Sequence, residues 1–354
     1  MKLPFDLNLK LVFRLLFPGF ILATGFYPIL GTVLEKLDLT EQIKTAYIVS
    51  ALVFGWLIMI GDMHIYMLYE GRRYWPKFLW DWLLNREESR RQSAWIKATE
   101  GATTRIREEA SVDLRGFPID EETGNFVAKF PTRLGNLLNS FEGYSNLIYG
   151  MDSVFYWPRL WLVLAKDLRD DIDSLQAMAD STTYASFCLF ISGFLSLGYT
   201  VLKFLNITVI EFLPTLGLLI GLTVAALLLG YLTYRVSLPL HAQFGDIFRS
   251  VFDVYRDKVL FPDVLAEVGR LTVNKDIDKL PKKLQYRKVW RYLHNYRVKF
   301  SEEGKAYTPN EVMKVLSDPS TLVELPEGTG MGTRLARLLF QIAKWLSSKS
   351  VSSM

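Results

Sequence analysis

The stretch LGLLIGLTVAALLLGYLTY, residues 216–234, decides the fold of this chain. It contains no charged side chain. As an α-helix rising about 1.5 Å per residue, it is long enough to cross the roughly 30 Å hydrocarbon core of a bilayer. It is the centre of one of four apolar runs, which lie at about 11–33, 46–69, 183–205 and 208–234. The sequence therefore predicts a multi-pass membrane protein.

The grouping of the four runs predicts the fold class. We expect an all-α membrane protein with four transmembrane helices in two hairpins and a mainly helical cytoplasmic domain. Half of the residues are apolar and 22% are charged, a mixture that fits this architecture and excludes a disordered chain. The predicted domains are a transmembrane hairpin (1–70), a cytoplasmic insert (71–181), a second transmembrane hairpin (182–235), a cytoplasmic helical region (236–302), a linker (303–332) and an amphipathic C-terminal helix with a tail (333–354).

The distribution of Lys and Arg predicts the orientation in the membrane. Basic residues are concentrated before the first run, after the second, before the third and after the fourth, whereas the connection at about 34–45 is short and mixed in charge. The positive-inside rule then places both termini in the cytoplasm. The sequence pI of about 8.9 favours anionic lipid headgroups over nucleic acid as partners, because no nucleic-acid-binding motif accompanies it.

Ionisable residues in the apolar runs are the best functional candidates, because charged groups are costly in hydrocarbon. Asp62 and His64 fall in the second run, and Asp62 could line a cation path or relay a proton. The alternative is that the span ends near Gly61, which would leave both residues at the membrane interface. Arg14, in the first run, is expected to extend to the cytoplasmic surface.

Two similar segments, YWPKFLW at 74–80 and YWPRLW at 156–161, suggest interfacial anchoring. Trp and Tyr favour the headgroup level, and Lys or Arg can reach a lipid phosphate. The alternative is a pair of elbows that line a lateral entrance for lipid or ions. The predicted anchors are Tyr74, Trp75, Lys77, Tyr156, Trp157 and Arg159.

Small residues four apart predict a close helix contact in the fourth run. They are Gly217, Gly221 and Ala225. The connection between the third and fourth runs is short, so packing of these two helices within one chain is the simpler expectation. Packing between chains is the alternative.

The sequence predicts no enzyme. No nucleophile is paired with a base, and we name no catalytic residue, metal ligand or cofactor. His64, His241 and His294 are scattered, without the spacing of a zinc site. Cys188 is the single cysteine, so an intramolecular disulfide is excluded. The acidic run 167–173 lacks the glycine and terminal glutamate of a calcium loop and indicates a solvated helix face.

The segment 333–347 predicts an amphipathic helix. Its apolar residues gather on one side, with basic residues largely off that side. This pattern is typical of a helix lying in the membrane plane or of a peptide that docks in a partner's groove.

Part of the chain resembles a family of bacterial multi-pass inner-membrane proteins to which no activity is assigned. The resemblance covers roughly 130–260. It is carried by PTRLGN at 131–136, YGMD at 149–152 and WPRLW at 157–161, with GDIFR at 245–249. It implies a bacterial inner (plasma) membrane. The span layout alone is similar to bestrophin-type channels, without their filter motifs, and it implies no function.

These observations lead to two functional hypotheses. The first is an oligomeric integral membrane protein that forms an ion channel or pore-like assembly. The second is a non-catalytic membrane scaffold or sensor that recruits a cytoplasmic partner. The predicted partners are anionic membrane lipids, further copies of the chain and a cytoplasmic protein, but not nucleic acid.

Overall fold

The computed structural model describes residues 12–101, 103–207, 210, 212–271 and 277–293. Over these ranges the chain is helical, with no strand and a single isolated antiparallel bridge between Ile119 and Phe126. The predicted all-α class is confirmed. The chain divides into two compact units, which end and begin at Leu260 and Phe261.

The first unit contains ten α-helices within the described ranges. They are α1 (Phe17–Lys36), α2 (Ile43–Ile60), α3 (Asp62–Glu70), α4 (Lys77–Glu100), α5 (Thr104–Leu114), α6 (Arg133–Glu142), α7 (Tyr144–Tyr149), α8 (Ser153–Val163), α9 (Lys166–Phe204) and α10 (Leu216–Tyr255). A π-helical segment, Val12–Leu16, precedes α1.

Four segments are long and apolar enough to cross a membrane, as the sequence predicts. They are Val12–Lys36, Thr40–Ile60, Lys166–Phe204 and Leu216–Val259. The third and fourth continue well beyond their apolar parts as single helices. The charged stretch before the third run is therefore part of α9, and the beginning of the predicted cytoplasmic helical region, up to Tyr255, is the last part of α10.

Helices α1 and α2 approach each other closely through small residues. A Cβ atom added to Gly19 would overlap the backbone oxygen of Ala51, and one added to Gly55 would overlap the backbone oxygen of Leu15. Ala51 is completely buried. Since Ala51 and Gly55 are four apart, they form one small-residue face that lets the two backbones come together.

Helices α9 and α10 pack through hydroxyl groups that bond to backbone oxygens of the neighbouring helix. Ser186 donates to the oxygen of Gly230 at 2.8 Å, and Ser196 donates to the oxygen of Leu219 at 3.1 Å. Thr223 donates to the hydroxyl of Ser196 at 3.0 Å. These bonds satisfy polar groups that have few other partners in an apolar environment.

The expectation that Gly217, Gly221 and Ala225 pack against the third run within the chain is wrong. A Cβ added to either glycine would meet open space, and Ala225 is exposed. The buried face of α10 contains Leu219 and Thr223 instead. Those positions are offset by two residues, or about 200° around a helix of 3.6 residues per turn.

The helices between the second and third spans, which we call the α4–α8 module, pack on the end of α10 through aromatic rings. The ring of Trp157 lies 4.4 Å from that of Phe248 and 6.2 Å from that of Phe252. Phe141 of α6 lies 5.4 Å from Phe248. The end of α10 therefore belongs to the core of this module.

The second unit has a small core of its own. It contains α11 (Pro262–Leu271) and α12 (Lys282–Arg291), with a short 3-10 turn between them, Ile277–Lys279. Leu265, Val268, Ile277, Val289 and Tyr292 form the buried cluster. The predicted linker at 303–332 and the amphipathic helix at 333–347 lie outside the described residues.

Candidate functional site

An ion pair joins the start of the chain to α9. Arg14, in the π-helical segment, places Nη2 2.6 Å from Oδ2 of Asp180 and Nη1 3.6 Å from Oδ1 of Asp173. Asp173 and Asp180 are seven residues apart, two turns along one face of α9. Arg14 is thus directed to a buried carboxylate, and its extension to the cytoplasmic surface stays a prediction.

The second carboxylate oxygen of Asp180 is connected through Tyr66 of α3 to His241 of α10. The hydroxyl of Tyr66 donates to Oδ1 of Asp180 at 2.5 Å and lies 3.0 Å from Nε2 of His241. His241 is only 2% exposed. Arg14, Asp180, Tyr66 and His241 form a continuous chain of contacts across four helical segments, which we call the buried network.

A hydrogen bond at Nδ1 of His241 determines which ring nitrogen carries the proton of the neutral imidazole. Nδ1 of His241 lies 2.8 Å from the backbone oxygen of Ser237. A carbonyl oxygen only accepts, so Nδ1 carries a proton and Nε2 of the neutral ring is an acceptor. The single hydroxyl proton of Tyr66 then faces two acceptors if Asp180 is ionised.

The number of protons in the buried network decides how many of its hydrogen bonds can form. If Asp180 is protonated, it donates to Tyr66, and Tyr66 donates to Nε2 of His241. If His241 is protonated instead, it donates to Tyr66, and Tyr66 donates to Asp180. Both arrangements hold the same number of protons and form every bond. With one proton fewer, Tyr66 can satisfy only one of its two neighbours.

Tyr66 itself remains a neutral phenol in this arrangement. Burial raises the pKa of Tyr66 well above its ordinary value, and the negative charge of Asp180 raises that pKa further. Tyr66 therefore passes or shares a proton without losing its own to solvent.

The structure brings Asp62 to this network but not His64. Tyr184 donates to Oδ1 of Asp62 at 2.6 Å, and its ring meets that of Tyr66 edge to face at 6.4 Å. His64 is exposed and bonds through Nδ1 to the hydroxyl of Tyr74 at 2.6 Å. Both residues lie beyond the end of the candidate span, which supports the alternative that the span ends near Gly61.

The first of the two YWP segments forms the turn between α3 and α4. Nε1 of Trp75 donates to the backbone oxygen of Leu68 at 2.7 Å, and α4 begins at Lys77. Tyr74 has a positive φ of 70° and is largely exposed. Membrane anchoring by Tyr74, Trp75 and Lys77 stays a prediction.

The second YWP segment contains one residue, Tyr156, that cannot be an interfacial anchor. It lies within α8, where Tyr156 is completely buried and Trp157 packs on Phe248. The guanidinium of Arg159 lies 3.5 Å from the ring centre of Phe155 and donates to that residue's backbone oxygen. The side chain of Tyr156 fills a protein core and cannot also occupy the headgroup layer, whereas anchoring by Trp157 and Arg159 stays a prediction.

A second charged cluster lies one turn further along α3. Arg72 forms ion pairs with Glu70 and, at 3.1 Å, with Glu142 at the end of α6. Burial raises the pKa of Glu70 to about 7 and also raises the pKa of Glu142, although Arg72 opposes both shifts. A Cβ added to Gly135 of α6 would overlap the backbone oxygen of Glu70, so α3 and α6 touch here.

The buried network can hold and share protons, but it does not have the ligands of a metal centre. Among the described residues, no three His, Cys, Asp or Glu side chains gather as a metal site would require. The cluster at Asp180 contains an arginine cation, a tyrosine and one histidine, which is a set suited to proton and charge chemistry. The absence of a catalytic residue, metal or cofactor stays a prediction.

No protein-family model, no curated protein and no solved structure matches this chain. The resemblances in sequence pattern and span layout therefore stay predictions, and the class of protein rests on the four candidate spans and the buried network.

Proposed function

We propose that this chain is a non-catalytic membrane sensor or scaffold in which the proton content of the buried network sets the position of α3. This develops the second hypothesis from the sequence. The observation that supports it most is the placement of Tyr66 between Asp180 and His241, at 2.5 and 3.0 Å. One proton decides whether Tyr66 bonds to both.

Loss of that proton destabilises the contacts of α3 with the two long helices. Asp180 is on α9 and His241 is on α10, so Tyr66 joins α3 to both long helices. Without the shared proton, one buried acceptor lacks its hydrogen bond, at a cost of about 1–3 kcal/mol. An equilibrium between two positions of α3 is shifted substantially by a free energy of this size.

A shift of α3 would reach the α4–α8 module directly. Tyr66 and Glu70 are one turn apart on this nine-residue helix, so they move together. Glu70 touches Gly135, and the ion pairs of Arg72 join Glu70 to Glu142. We propose that α3 couples the buried network to α6.

We assign the predicted orientation to this sensor. Both termini, the buried network and the α4–α8 module would lie on the cytoplasmic side of a bacterial inner membrane, with the spans in two hairpins. The excess of Lys and Arg on that side of the spans supports this topology. A partner protein would then bind the module from the cytoplasm.

The Asp180→Asn variant tests the proton mechanism. Its amide oxygen can accept from Arg14 while its NH₂ donates to Tyr66, so it imitates the protonated aspartate. Amide hydrogen exchange of the full chain is measured in nanodiscs from about pH 5.5 to 8.5. The comparison is made in a Glu70→Gln background, because burial raises the pKa of Glu70 to about 7.

We expect α3 and α6 to lose protection as pH rises in the Glu70→Gln parent, and Asp180→Asn to remain protected throughout. Asp171→Asn is the matched control, because Asp171 is an exposed residue on the same helix, and it should follow the parent. An Asp180→Asn profile that also follows the parent would contradict the proposal.

The oligomeric channel is a second candidate, favoured by one observation: ionisable groups are buried where the spans end. A pore between copies would have to be lined by the exposed faces of the spans. On α2 and α10 those faces are largely apolar, with Val53, Leu57, Val224, Leu228 and Leu232 among their members. They are suited to lipid contact rather than to a hydrated path.

Currents across planar bilayers decide between the two candidates. A channel with Asp62 in its path should change its conductance or ion preference in the Asp62→Asn variant. Equal currents from both proteins would remove Asp62 from the path. The absence of current from both would favour the sensor.

A further inference from the structure

Arg133, at the start of α6, has two cations and two carboxylates around it and no acceptor of its own. Arg133 forms neither a hydrogen bond nor an ion pair with any residue that the structure describes, although it is only partly exposed. Burial lowers the pKa of Arg133, and the neighbouring cations Arg90 and Arg235 lower it further, against the opposing effects of Glu87 and Asp113.

The two carboxylates near Arg133 are already engaged by Arg90. Nη2 of Arg90 lies 2.9 Å from Oε2 of Glu87, and Nη1 lies 2.9 Å from Oδ1 of Asp113. The ring of Phe117 lies 4.5 Å from the same guanidinium and holds it in place. Arg133 therefore competes for carboxylates whose best-placed cation is Arg90.

The position of Arg235 gives the depth of this site in the membrane. Arg235 is the first charged residue after the uncharged stretch 216–234 of α10, and it is exposed. At about 1.5 Å per residue, that stretch approximately equals the hydrocarbon thickness. Arg235 consequently lies at the headgroup level. It too forms no hydrogen bond or ion pair within the described ranges.

A groove of about 430 Å³ between α4, α5, α6 and α10 is lined by Arg133 and by Leu238, which lies about one turn of α10 beyond Arg235. Its acidic lining residues have cationic partners: Asp113 pairs with Arg90, and Asp246 with Arg249. The third, Glu109, pairs with a neighbouring arginine on α5. An anion is therefore the ligand that this groove can accept without displacing an existing pair.

We propose that Arg133 and Arg235 bind the phosphate of an anionic phospholipid, whose headgroup enters this groove. Guanidinium groups bond to phosphate oxygens through paired donors, and basic pockets between helices at the membrane surface bind anionic headgroups. A lipid is favoured over a soluble phosphate because exposed Leu228 and Leu232 continue along α10 from Arg235 and can contact acyl chains. The site does not depend on the proton chemistry of the buried network.

The test uses the full chain purified in a neutral detergent. Three soluble probes are titrated: dihexanoyl phosphatidylglycerol, dihexanoyl phosphatidylcholine and inorganic phosphate. The rise in melting temperature with probe concentration gives the affinity. We expect saturable binding of the phosphatidylglycerol probe, much weaker binding of phosphatidylcholine, and about a fivefold loss in each of Arg133→Gln and Arg235→Gln.

Two variants keep the test decisive. Lys36→Gln removes one positive charge at the other end of the first span and should bind like wild type. Arg235→Gln changes an exposed side chain, so it provides the same comparison if Arg133→Gln does not fold. Equal affinity of the arginine variants and Lys36→Gln would overturn the site. Equal affinity for both lipids would overturn the choice of an anionic headgroup, and equally tight inorganic phosphate would overturn a lipid source.

Discussion

The two ends of the four-helix bundle satisfy their half-buried cations in different ways. At one end, Arg14 binds Asp180, a group that can gain or lose a proton. At the opposite end, Nζ of Lys203 donates to the backbone oxygens of Leu213 and Pro214, at 3.1 and 2.6 Å. Backbone oxygens do not titrate. The comparison locates any response to protons at the end that carries the buried network.

The largest expected effect contrasts the two cations. Arg14→Met leaves Asp180 buried without its positive partner, and loss of one member of a buried pair costs about 3–5 kcal/mol. Lys203→Met removes two bonds to neutral oxygens and is expected to cost about 1 kcal/mol. Unfolding by sodium dodecyl sulfate in mixed micelles measures both. Equal losses would show that the two ends are energetically alike.

Glu70 is expected to make the free energy of unfolding depend on pH by up to about 3 kcal/mol. The reason is that its pKa is about 7 in the folded protein and 4.5 ordinarily. The folded protein keeps a proton that the unfolded chain releases between these values. The contribution of Glu70 to the free energy of unfolding should therefore fall as pH rises from about 4.5 to 7 and be constant above that range.

Glu70→Gln checks this pH dependence. It should weaken the decline in melting temperature between about pH 5 and 8, while Glu121→Gln, at a turn of the α4–α8 module, should leave the decline as it is in wild type. Glu142, whose pKa burial also raises, contributes with the same sign. A decline that is unchanged in Glu70→Gln would assign the effect elsewhere.

A smaller loss is expected from Tyr184→Phe. The variant removes the hydroxyl that donates to Asp62 at 2.6 Å. Asp62 is partly exposed and can bond to water instead, so the expected loss is about 1 kcal/mol. The same unfolding assay measures it. A loss of stability as large as that of Arg14→Met would show that the bond to Asp62 stabilises the fold as much as the ion pair of Arg14 does.

The sequence predicts the spans well because hydrophobic length is a local property. All four runs are candidate spans in the structure, and the continuation of the fourth run into a packed helix was readable from its apolar spacing. Tyr156 shows where local reasoning fails. An aromatic–proline–basic segment is compatible with an interface or with a core, and only the complete burial of Tyr156 by long-range packing distinguishes the two.

The buried network was only partly predictable for the same reason. The sequence identifies Asp62 because it is an acid near an apolar run, but Arg14 and Asp180 are separated by 166 positions. Nothing in either local sequence indicates the other. One usable signal was present: an arginine inside a span needs an acid, and the acidic run before the third span could supply it.

The smallest effect is expected for Gly221→Leu, on the exposed face of α10 toward the end of the bundle opposite the buried network. A Cβ at Gly221 would meet open space, so the added side chain should contact detergent or lipid and change stability by no more than about 0.5 kcal/mol. Gly55→Leu is the matched comparison, since a Cβ there would overlap the backbone oxygen of Leu15, and it should destabilise strongly.

Light scattering of the purified protein adds the decisive measurement. If Gly221→Leu leaves stability unchanged but reduces the mass of the particle, the small-residue face is a contact between copies of the chain. If stability and mass are both unchanged, that face meets lipid, and the end of the bundle at Lys203 is a passive anchor for the end that carries the buried network.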